Sequence, residues 1–279
     1  MAPVLDEALG LVLGDRDLQR LTRMLYDASG ITLHGGKGPL VVARLQKRVK
    51  AQGHESFAAY LDAVERDASG QELTGLVDAM ATNHTSFFRE PQHFTYLQSV
   101  IAPQFRDRRV PVPLKIWSMP CSTGEEPYTL AMTMLDAGLP AGFTILASDL
   151  STKALERART GVYREQTVAR VPRDVLRRHV DRGVGQEDGL VRVNSAVRRY
   201  VAFRRLNLVD LPDLGQRFDV IFCRNLLIYF DQAAQQRAVS AIERHLAPGG
   251  HLFISHSESL NSVRHELEWK APAVYRKAL

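Results

Sequence analysis

Two adjacent carboxylates follow a tight turn near the middle of the chain. Residues 122–128 read Ser-Thr-Gly-Glu-Glu-Pro-Tyr, so Glu125 and Glu126 come directly after Gly124. A helix N-terminus attracts anions, but two carboxylates there would repel the pyrophosphate of a dinucleotide. They suit a ligand that joins adenosine to positive charge, and S-adenosylmethionine, with its sulfonium and amino groups, is such a ligand. Taken alone, the turn is equally consistent with an ordinary strand-to-helix turn whose acids are solvated.

A strand and a helix must hold this turn in place. Apolar Leu114 and Ile116 predict a short buried strand, and Pro127 is typical of the first positions of a helix. In α/β sheets, a strand, a glycine turn and a helix open a ligand pocket at the carboxyl ends of the strands. The acids and the lack of a full G-x-G-x-x-G motif disfavour a dinucleotide oxidoreductase.

Later predicted strands also end in polar residues and alternate with helical patterns, which indicates a Rossmann-like α/β sheet. They span residues 143–149, 201–207, 218–223 and 251–255, and their ends carry Asp149, Asn207, Asn225 and Ser255. Because the carboxyl ends of parallel strands meet at one edge, these residues should lie close together. Asp149 stands where Rossmann-like folds hold ribose hydroxyls. Capping of the next helix together with Ser151 is its alternative role.

Composition excludes several classes of protein. With 279 residues, 45% of them hydrophobic, the chain can bury one large core and a smaller one. It shows no signal peptide and no apolar run near ~18 residues, so we expect a soluble, cytoplasmic protein that does not insert into a membrane. Two cysteines and no H-E-x-x-H motif predict no disulfide framework and no metal site. A net charge of +5 is too small to mark a dedicated nucleic-acid binder.

Helical periodicity runs through residues 15–80 and predicts an all-helical N-terminal domain over residues 1–82. Within it, Arg44, Lys47 and Arg48 recur at i, i+3 and i+4 and so share one helix face. That face is either a solvated basic surface or a docking surface for an acidic helix. We expect a linker and interdomain helix over residues 83–110 and a catalytic domain over residues 111–279.

Residues 161–200 break the alternation of strands and helices. Two glycine turns, at residues 183–185 and 188–189, flank short β-like runs. This pattern predicts a small antiparallel β-subdomain inserted into the catalytic domain. An exposed strand edge of such a subdomain could add a strand from a partner peptide.

Six stretches together resemble the CheR-type chemoreceptor glutamate methyltransferases of bacterial chemotaxis. They are Asn-His-Thr-Ser-Phe-Phe-Arg (83–89), Ser-Thr-Gly-Glu-Glu-Pro-Tyr (122–128), Ala-Ser-Asp-Leu (147–150), Asn-Leu (207–208), Phe-Cys-Arg-Asn-Leu-Leu-Ile-Tyr-Phe (222–230) and Ser-His-Ser-Glu-Ser (255–259). They occur in order over most of the chain, and several are specific. Met119-Pro120 departs from the family, which more often has small residues there.

The resemblance implies a Rossmann-like S-adenosylmethionine-dependent methyltransferase with a helical N-terminal domain and an inserted β-subdomain. The cofactor would transfer its methyl group to receptor glutamates and leave as S-adenosylhomocysteine. The residues that it implies around the cofactor are Asn83, Thr85, Arg89, Gly124, Glu125, Asp149, Asn207, Leu208, Arg224 and Asn225. Among the family's residues, those matching Arg89 and Tyr229 lie nearest the methyl group, so these two are the expected catalytic pair.

The resemblance also implies partners. The face formed by Arg44, Lys47 and Arg48 would meet the acidic methylation helix of a chemoreceptor. In some members the β-subdomain grips a C-terminal receptor peptide, and the glycine turn at residues 183–185 resembles that form. We expect a monomer.

Two other functions remain open at this level. One is a non-catalytic adaptor of the same fold, which the intact site residues disfavour. The other is an RNA methyltransferase, suggested by the net positive charge. The basic helix at residues 40–50 contains no aromatic residue on which a base could stack, which disfavours RNA.

Overall fold

The computed structural model of the chain describes residues 4–6, 11–33, 38–107, 112–139 and 142–279. Contacts divide it into two units. The helical unit comprises Met1–Thr82 and Tyr229–Ala234, and the sheet unit comprises Asn83–Ile228 and Gln235–Leu279. Among the described helices, none combines the length and the apolarity needed to cross a bilayer.

The described residues form eleven α-helices and twelve strands. The helices are α1 (Asp15–Ser29), α2 (Gly38–Ala51), α3 (Phe57–Arg66), α4 (Gln71–Met80), α5 (Pro91–Tyr96), α6 (Ala102–Arg106), α7 (Glu125–Ala137), α8 (Thr152–Thr160), α9 (Arg173–His179), α10 (Ser195–Arg198) and α11 (Gln232–His245). The strands are β1 (Val4–Asp6), β2 (Leu11–Leu13), β3 (Leu114–Met119), β4 (Phe143–Asp149), β5 (Val162–Arg164), β6 (Val180–Arg182), β7 (Leu190–Val193), β8 (Val201–Arg205), β9 (Phe218–Cys223), β10 (Leu246–Phe253), β11 (Leu267–Ala271) and β12 (Val274–Lys277).

The helical unit forms from amphipathic segments, as predicted. Leu21 and Leu25 are fully buried on one side of α1, and left-handed Gly30 ends that helix. Ser56 caps α3, because its hydroxyl accepts the Ala59 N–H at 3.1 Å. The β1–β2 hairpin that precedes these helices was not predicted.

The sheet unit contains a seven-stranded sheet in the order β11-β12-β10-β9-β3-β4-β8. The strands from β10 to β8 are parallel, and β12 runs antiparallel to both of its neighbours. From β3 the chain moves outward through β4 to β8 and then returns to β9 on the other side of β3. The carboxyl ends of β3 and β9 therefore flank the switch point of the sheet, where α/β proteins bind ligands. The Rossmann-like prediction is confirmed.

Two strands differ from the prediction in their bounds. The strand expected over residues 201–207 ends at Arg205. Strand β10 begins at Leu246, although the Pro248-Gly249-Gly250 stretch indicated only the end of a helix. The pairing of β10 with β9 shifts register between Leu246 and His251, and such an irregularity lets a strand include a proline.

The inserted subdomain is confirmed as a three-stranded antiparallel sheet in the order β5-β7-β6. Its buried side chains, including Val168 and Val191, belong to the same apolar core as Phe222 of the large sheet. A polar contact adds to this core, because Asp136 on α7 lies 2.9 Å from a ring nitrogen of His179 on α9. The inserted subdomain thus shares its apolar core with the seven-stranded sheet.

Candidate active site

The turn between β3 and α7 requires glycine at position 124. Gly124 has a φ of +97°, a backbone conformation that costs other residues free energy. A Cβ atom there would lie 2.8 Å from the Tyr163 hydroxyl and 3.0 Å from the Ala158 Cβ. The turn is therefore packed tightly against α8 and β5, which fixes the start of α7.

Glu125 begins α7 and is 4% exposed. Its Oε2 accepts the Thr123 hydroxyl at 2.6 Å, and no basic residue that the structure describes pairs with it. Burial raises the pKa of its carboxyl group, against the hydrogen bond from Thr123 and the charge of Arg157. A buried carboxylate without a cation favours a positively charged ligand group. This observation fits the amino group of S-adenosylmethionine, as predicted for Glu125.

Asp149 ends β4 and connects neighbouring turns. Its Oδ2 accepts the Ser122 N–H at 2.7 Å, and its Oδ1 accepts the Ser151 N–H at 2.9 Å. The cap of α8 is the Ser151 side chain, which accepts the Ala154 N–H at 3.1 Å. The helix-capping alternative thus describes Ser151 better than Asp149. The ribose role of Asp149 stays a prediction.

Arg224 follows β9 and joins three segments, with a side chain only 2% exposed. Its Nη1 donates to Glu126 Oε2 at 3.0 Å, and its Nη2 donates to the Arg89 carbonyl oxygen at 2.6 Å. The same Nη2 lies 3.2 Å from Glu90 Oε2. Although burial opposes it, the charge of Arg224 and a hydrogen bond from Ser255 hold the pKa of Glu90 below its ordinary value. The guanidinium is committed to protein oxygens.

Asn225 and Ser255 are held by a carboxylate that the sequence did not reveal. Glu258 accepts the backbone N–H groups of four residues at 2.8 to 2.9 Å: Asn225, Leu226, Leu227 and Ser255. The Asn225 side chain donates to the Ser255 hydroxyl at 2.9 Å, and that hydroxyl donates to Glu90 Oε1 at 2.7 Å. Burial raises the pKa of Glu258, against these N–H groups. The ends of β9 and β10 are thereby tied together.

The segment that carries Arg89 has an unusual backbone. Phe88 and Glu90, on either side of Arg89, have φ values of +53° and +57°. Such conformations cost about 1–3 kcal/mol each and persist where neighbouring groups determine them. The Phe88 N–H donates to the Thr129 hydroxyl at 3.2 Å, and the Arg89 Nη1 donates to the His84 carbonyl at 3.0 Å. The half-buried Arg89 side chain is thus presented from a fixed loop.

The remaining predicted cofactor residues are Asn207, Leu208, Asn83 and Thr85. The residue before Asn207 is tied to the end of β4, because the Leu206 N–H donates to the Asp149 carbonyl at 3.2 Å. Leu208 is buried. Asn83 is exposed and Thr85 is half-buried, and within the described chain no hydrogen bond joins either to the other predicted residues.

Tyr229 is grouped with the helical unit. Its carbonyl accepts the Thr32 N–H at 2.9 Å, and Phe230 forms an isolated bridge with Ile31. The side chain is half-buried. Its catalytic pairing with Arg89 stays a prediction.

The basic face of α2 is largely engaged within the helical unit. Arg44 donates to the Met80 carbonyl and, at 3.0 Å, to the Thr82 hydroxyl. Arg48 donates to Glu72 at 2.7 Å and to the Tyr60 hydroxyl at 2.9 Å. Lys47 is exposed. The docking role of this face stays a prediction, and Lys47 is its most available charge.

Glu90, His93 and His256 bring possible metal ligands within 4.8 Å of one another. His93 is 1% exposed, and burial, followed by the charge of Arg224, lowers its pKa to about 4. Because the Arg224 guanidinium already pairs with Glu90, a further cation would meet its repulsion. Sequence reasoning gave no role to this cluster or to Glu258, although the 255–259 stretch contains Glu258.

The chain is similar to known proteins over most of its length. The family model described as "CheR methyltransferase, SAM binding domain" matches residues 83–274, and "CheR methyltransferase, all-alpha domain" matches residues 16–81. The chemotaxis protein methyltransferase of Salmonella typhimurium is 36% identical, over 95% of this chain and 91% of its own. That of Escherichia coli is 36% identical over 95% and 92%, and chemotaxis protein methyltransferase 2 of Pseudomonas aeruginosa is 37% identical over 94% and 93%.

Proposed function

The chain belongs to the CheR methyltransferase family, and from that premise we propose that it converts glutamate side chains of membrane chemoreceptors into methyl esters during chemotactic adaptation. S-Adenosylmethionine is its cofactor. The observation that carries the proposal is the buried Glu125 at the switch point of the sheet, which forms no ion pair with any residue that the structure describes. We propose that the enzyme acts as a cytoplasmic monomer.

When bound, S-adenosylmethionine supplies an electrophilic methyl group. Glu125 would bind its amino group, Asp149 its ribose, and Asn207 with Leu208 the surroundings of its adenine. The substrate glutamate, with a pKa near ~4.3, is ionised at neutral pH, so the protein needs no strong general base. Its task is alignment, and good orientation can lower a barrier by roughly 7–11 kcal/mol.

Arg89 is the group proposed to orient the substrate carboxylate. A guanidinium has five N–H donors in a planar fork that can hold a carboxylate with two hydrogen bonds. One nitrogen of Arg89 already donates to the His84 carbonyl at 3.0 Å, which limits how the fork turns. Too strong an ion pair would weaken the nucleophile. We therefore assign positioning to Arg89 and a single hydrogen bond to one carboxylate oxygen to Tyr229.

Substrate selection is assigned to two surfaces. The first is the α2 face of Arg44, Lys47 and Arg48, which would steer an acidic receptor helix by charge. The second is a cleft of about 1090 Å³ on the inserted subdomain. Its lining includes apolar Val168, Val171, Leu176, Val180 and Val191, basic Arg173, Arg177 and Arg182, and one acid, Glu165, which lies 3.4 Å from Arg182. An apolar peptide with an acidic group, such as a receptor C-terminus, fits this chemistry.

The proposal is tested by transfer of labelled methyl from S-adenosylmethionine to membranes that contain the organism's chemoreceptors. We expect label that is released by mild base, as glutamate esters are, and weaker labelling of receptors without their C-terminal tails. Arg89→Ala should lower the rate by about 100-fold, the typical loss when one positioned donor is removed. Arg204→Ala, an exposed arginine on β8, is the control and should leave the rate unchanged.

Two results would favour the other functions. Binding of receptors and cofactor without transfer would indicate an adaptor. Label on RNA rather than on receptors would indicate an RNA methyltransferase. Unchanged transfer in Arg89→Ala would remove Arg89 from the mechanism.

A further inference from the structure

We propose that Arg224 is a positioning residue that acts through Arg89, by fixing the backbone that presents the Arg89 side chain. This inference rests on the proposed function, because it gives Arg89 a role in methyl transfer. It concerns the Arg224 side chain and is separate from the expectation that this residue contacts the cofactor.

The contacts of Arg224 support this role. Its Nη2 reaches the Arg89 carbonyl oxygen at 2.6 Å and lies 3.2 Å from Glu90 Oε2. Its Nη1 reaches Glu126 Oε2 at 3.0 Å, and the other oxygen of Glu126 accepts the Ser118 hydroxyl at 2.7 Å. One side chain thus joins the Arg89 loop to the start of α7 and the end of β3.

Burial separates this role from direct cofactor binding. The Arg224 side chain is 2% exposed, and its Nε is buried without a hydrogen-bond partner in the described residues. A ligand bound at the carboxyl edge of the sheet would contact little of the Arg224 side chain unless the hydrogen bonds around that side chain first broke. Glu125, which has no ion-pair partner among the described residues, is better suited to contact the cofactor with its side chain.

The loop needs such a restraint because its backbone is strained. Positive φ values at Phe88 and Glu90 bracket Arg89, and Gly is absent from this loop. The Glu90 side chain is held on three sides, by Arg224, the Ser255 hydroxyl and the His256 N–H. Removing the Arg224 contacts frees the carbonyl of Arg89 and leaves the Glu90 side chain with only the Ser255 and His256 contacts. The Arg89 guanidinium would then lose its fixed direction.

A double-mutant cycle in the full-length protein tests the inference. Arg224→Lys keeps the charge but cannot reach all three oxygens. It should lower kcat by about 100-fold, the loss associated with a misplacement of about 1 Å. In an Arg89→Ala background the same change should lower kcat by less than about 3-fold, because its effect passes through Arg89. The dissociation constant for S-adenosylmethionine, measured by calorimetry, should change by less than about 3-fold.

The matched control is Arg20→Lys in the helical unit. Arg20 also donates to carboxylates, Asp62 at 2.7 Å, Glu65 at 2.8 Å and Asp17 at 3.5 Å, and Arg20→Lys should leave kcat unchanged. Glu90→Gln is the second variant if Arg224→Lys does not fold. It keeps the size of the side chain, and should show the same pattern with a smaller loss of about 10-fold.

Amide hydrogen exchange provides a readout without activity. Residues 87–90 should exchange faster in Arg224→Lys than in the wild type, with α1 unchanged. An equal loss of kcat in both backgrounds, or cofactor affinity weakened in parallel with kcat, would overturn the inference. If the wild type transfers no methyl to receptors, the proposed function fails. Unchanged exchange at residues 87–90 would then independently overturn the role of Arg224.

Discussion

An arginine that pairs with carboxylates occurs in both units, in surroundings of different exposure. In the helical unit, Arg20 is 23% exposed, its close partners Asp62 and Glu65 are 43% and 52% exposed, and Asp17, at 3.5 Å, is 19% exposed. In the sheet unit, Arg224 is 2% exposed and its partners Glu90 and Glu126 are 18% and 12% exposed. Exposed pairs gain little in water, whereas a buried network must be complete to be tolerated. The ion pairs of Arg20 should therefore contribute little to stability, whereas those of Arg224 should be required for it.

The largest expected effect is on stability. Arg224→Met should lower the free energy of unfolding by about 3–5 kcal/mol, because it leaves two largely buried carboxylates without their cation. Arg20→Met should cost at most about 1 kcal/mol, since water and salt screen its partners. Urea unfolding of both variants measures the difference. Equal losses would show that burial does not separate the two clusters.

Two glycines sharpen the comparison further. Gly124→Ala should cost about 3 kcal/mol, because the left-handed backbone and the 2.8 Å approach of the Tyr163 hydroxyl both oppose a Cβ. Gly70, before α4, has a φ of +71° with nothing within 4 Å of its Cβ position. Gly70→Ala should therefore cost only about 1 kcal/mol. Thermal unfolding distinguishes them, and a similar cost at both sites would mean that the turn relaxes.

Acid should weaken the sheet unit through His93. Burial, and after it the charge of Arg224, lowers the pKa of His93 to about 4, whereas the unfolded chain binds this proton near ~6.5. The unfolded state therefore takes up more protons, and stability falls as the pH drops from about 6.5 to about 4. His251 is a second histidine of this kind: burial, followed by the charges of Arg276 and Lys270, lowers its pKa to about 4.

His93→Phe should thus remove about 2 kcal/mol of the acid-induced loss in the free energy of unfolding and leave the part of that loss that comes from His251. The measurement is urea unfolding at about pH 7 and about pH 5. The groups facing His93 are Arg224, Glu90 and His256. A loss as large in the variant as in the wild type would assign it to other groups.

Local patterns in the sequence predicted the helices and strands better than they predicted the hydrogen bonds and ion pairs of the candidate site. Leucine spacing and Ser56 gave the helices, and apolar runs gave β3, β4 and β9, because these signals depend on neighbours in the chain. Glu90 and Ser255, which are hydrogen-bonded to each other, are 165 residues apart in the chain, and Glu258 and Asn225 are 33 residues apart. No periodicity reveals such pairs. Likewise, the spacing of Arg44 and Arg48 gave their shared face, but not that Met80 and Glu72 on α4 would engage them.

We assign receptor steering by charge to the α2 face of the helical unit and orientation of the substrate carboxylate to Arg89 of the sheet unit. The most direct test measures kcat and KM for receptor methylation in Lys47→Glu and Arg89→Ala side by side. Lys47→Glu should raise the receptor KM by up to about 5-fold, the size of an exposed charge interaction, with kcat unchanged. Arg89→Ala should lower kcat by about 100-fold. Lys153→Glu, on the exposed side of α8, is the charge-matched control. A fall in kcat in both test variants, with neither KM changed, would contradict the division of roles.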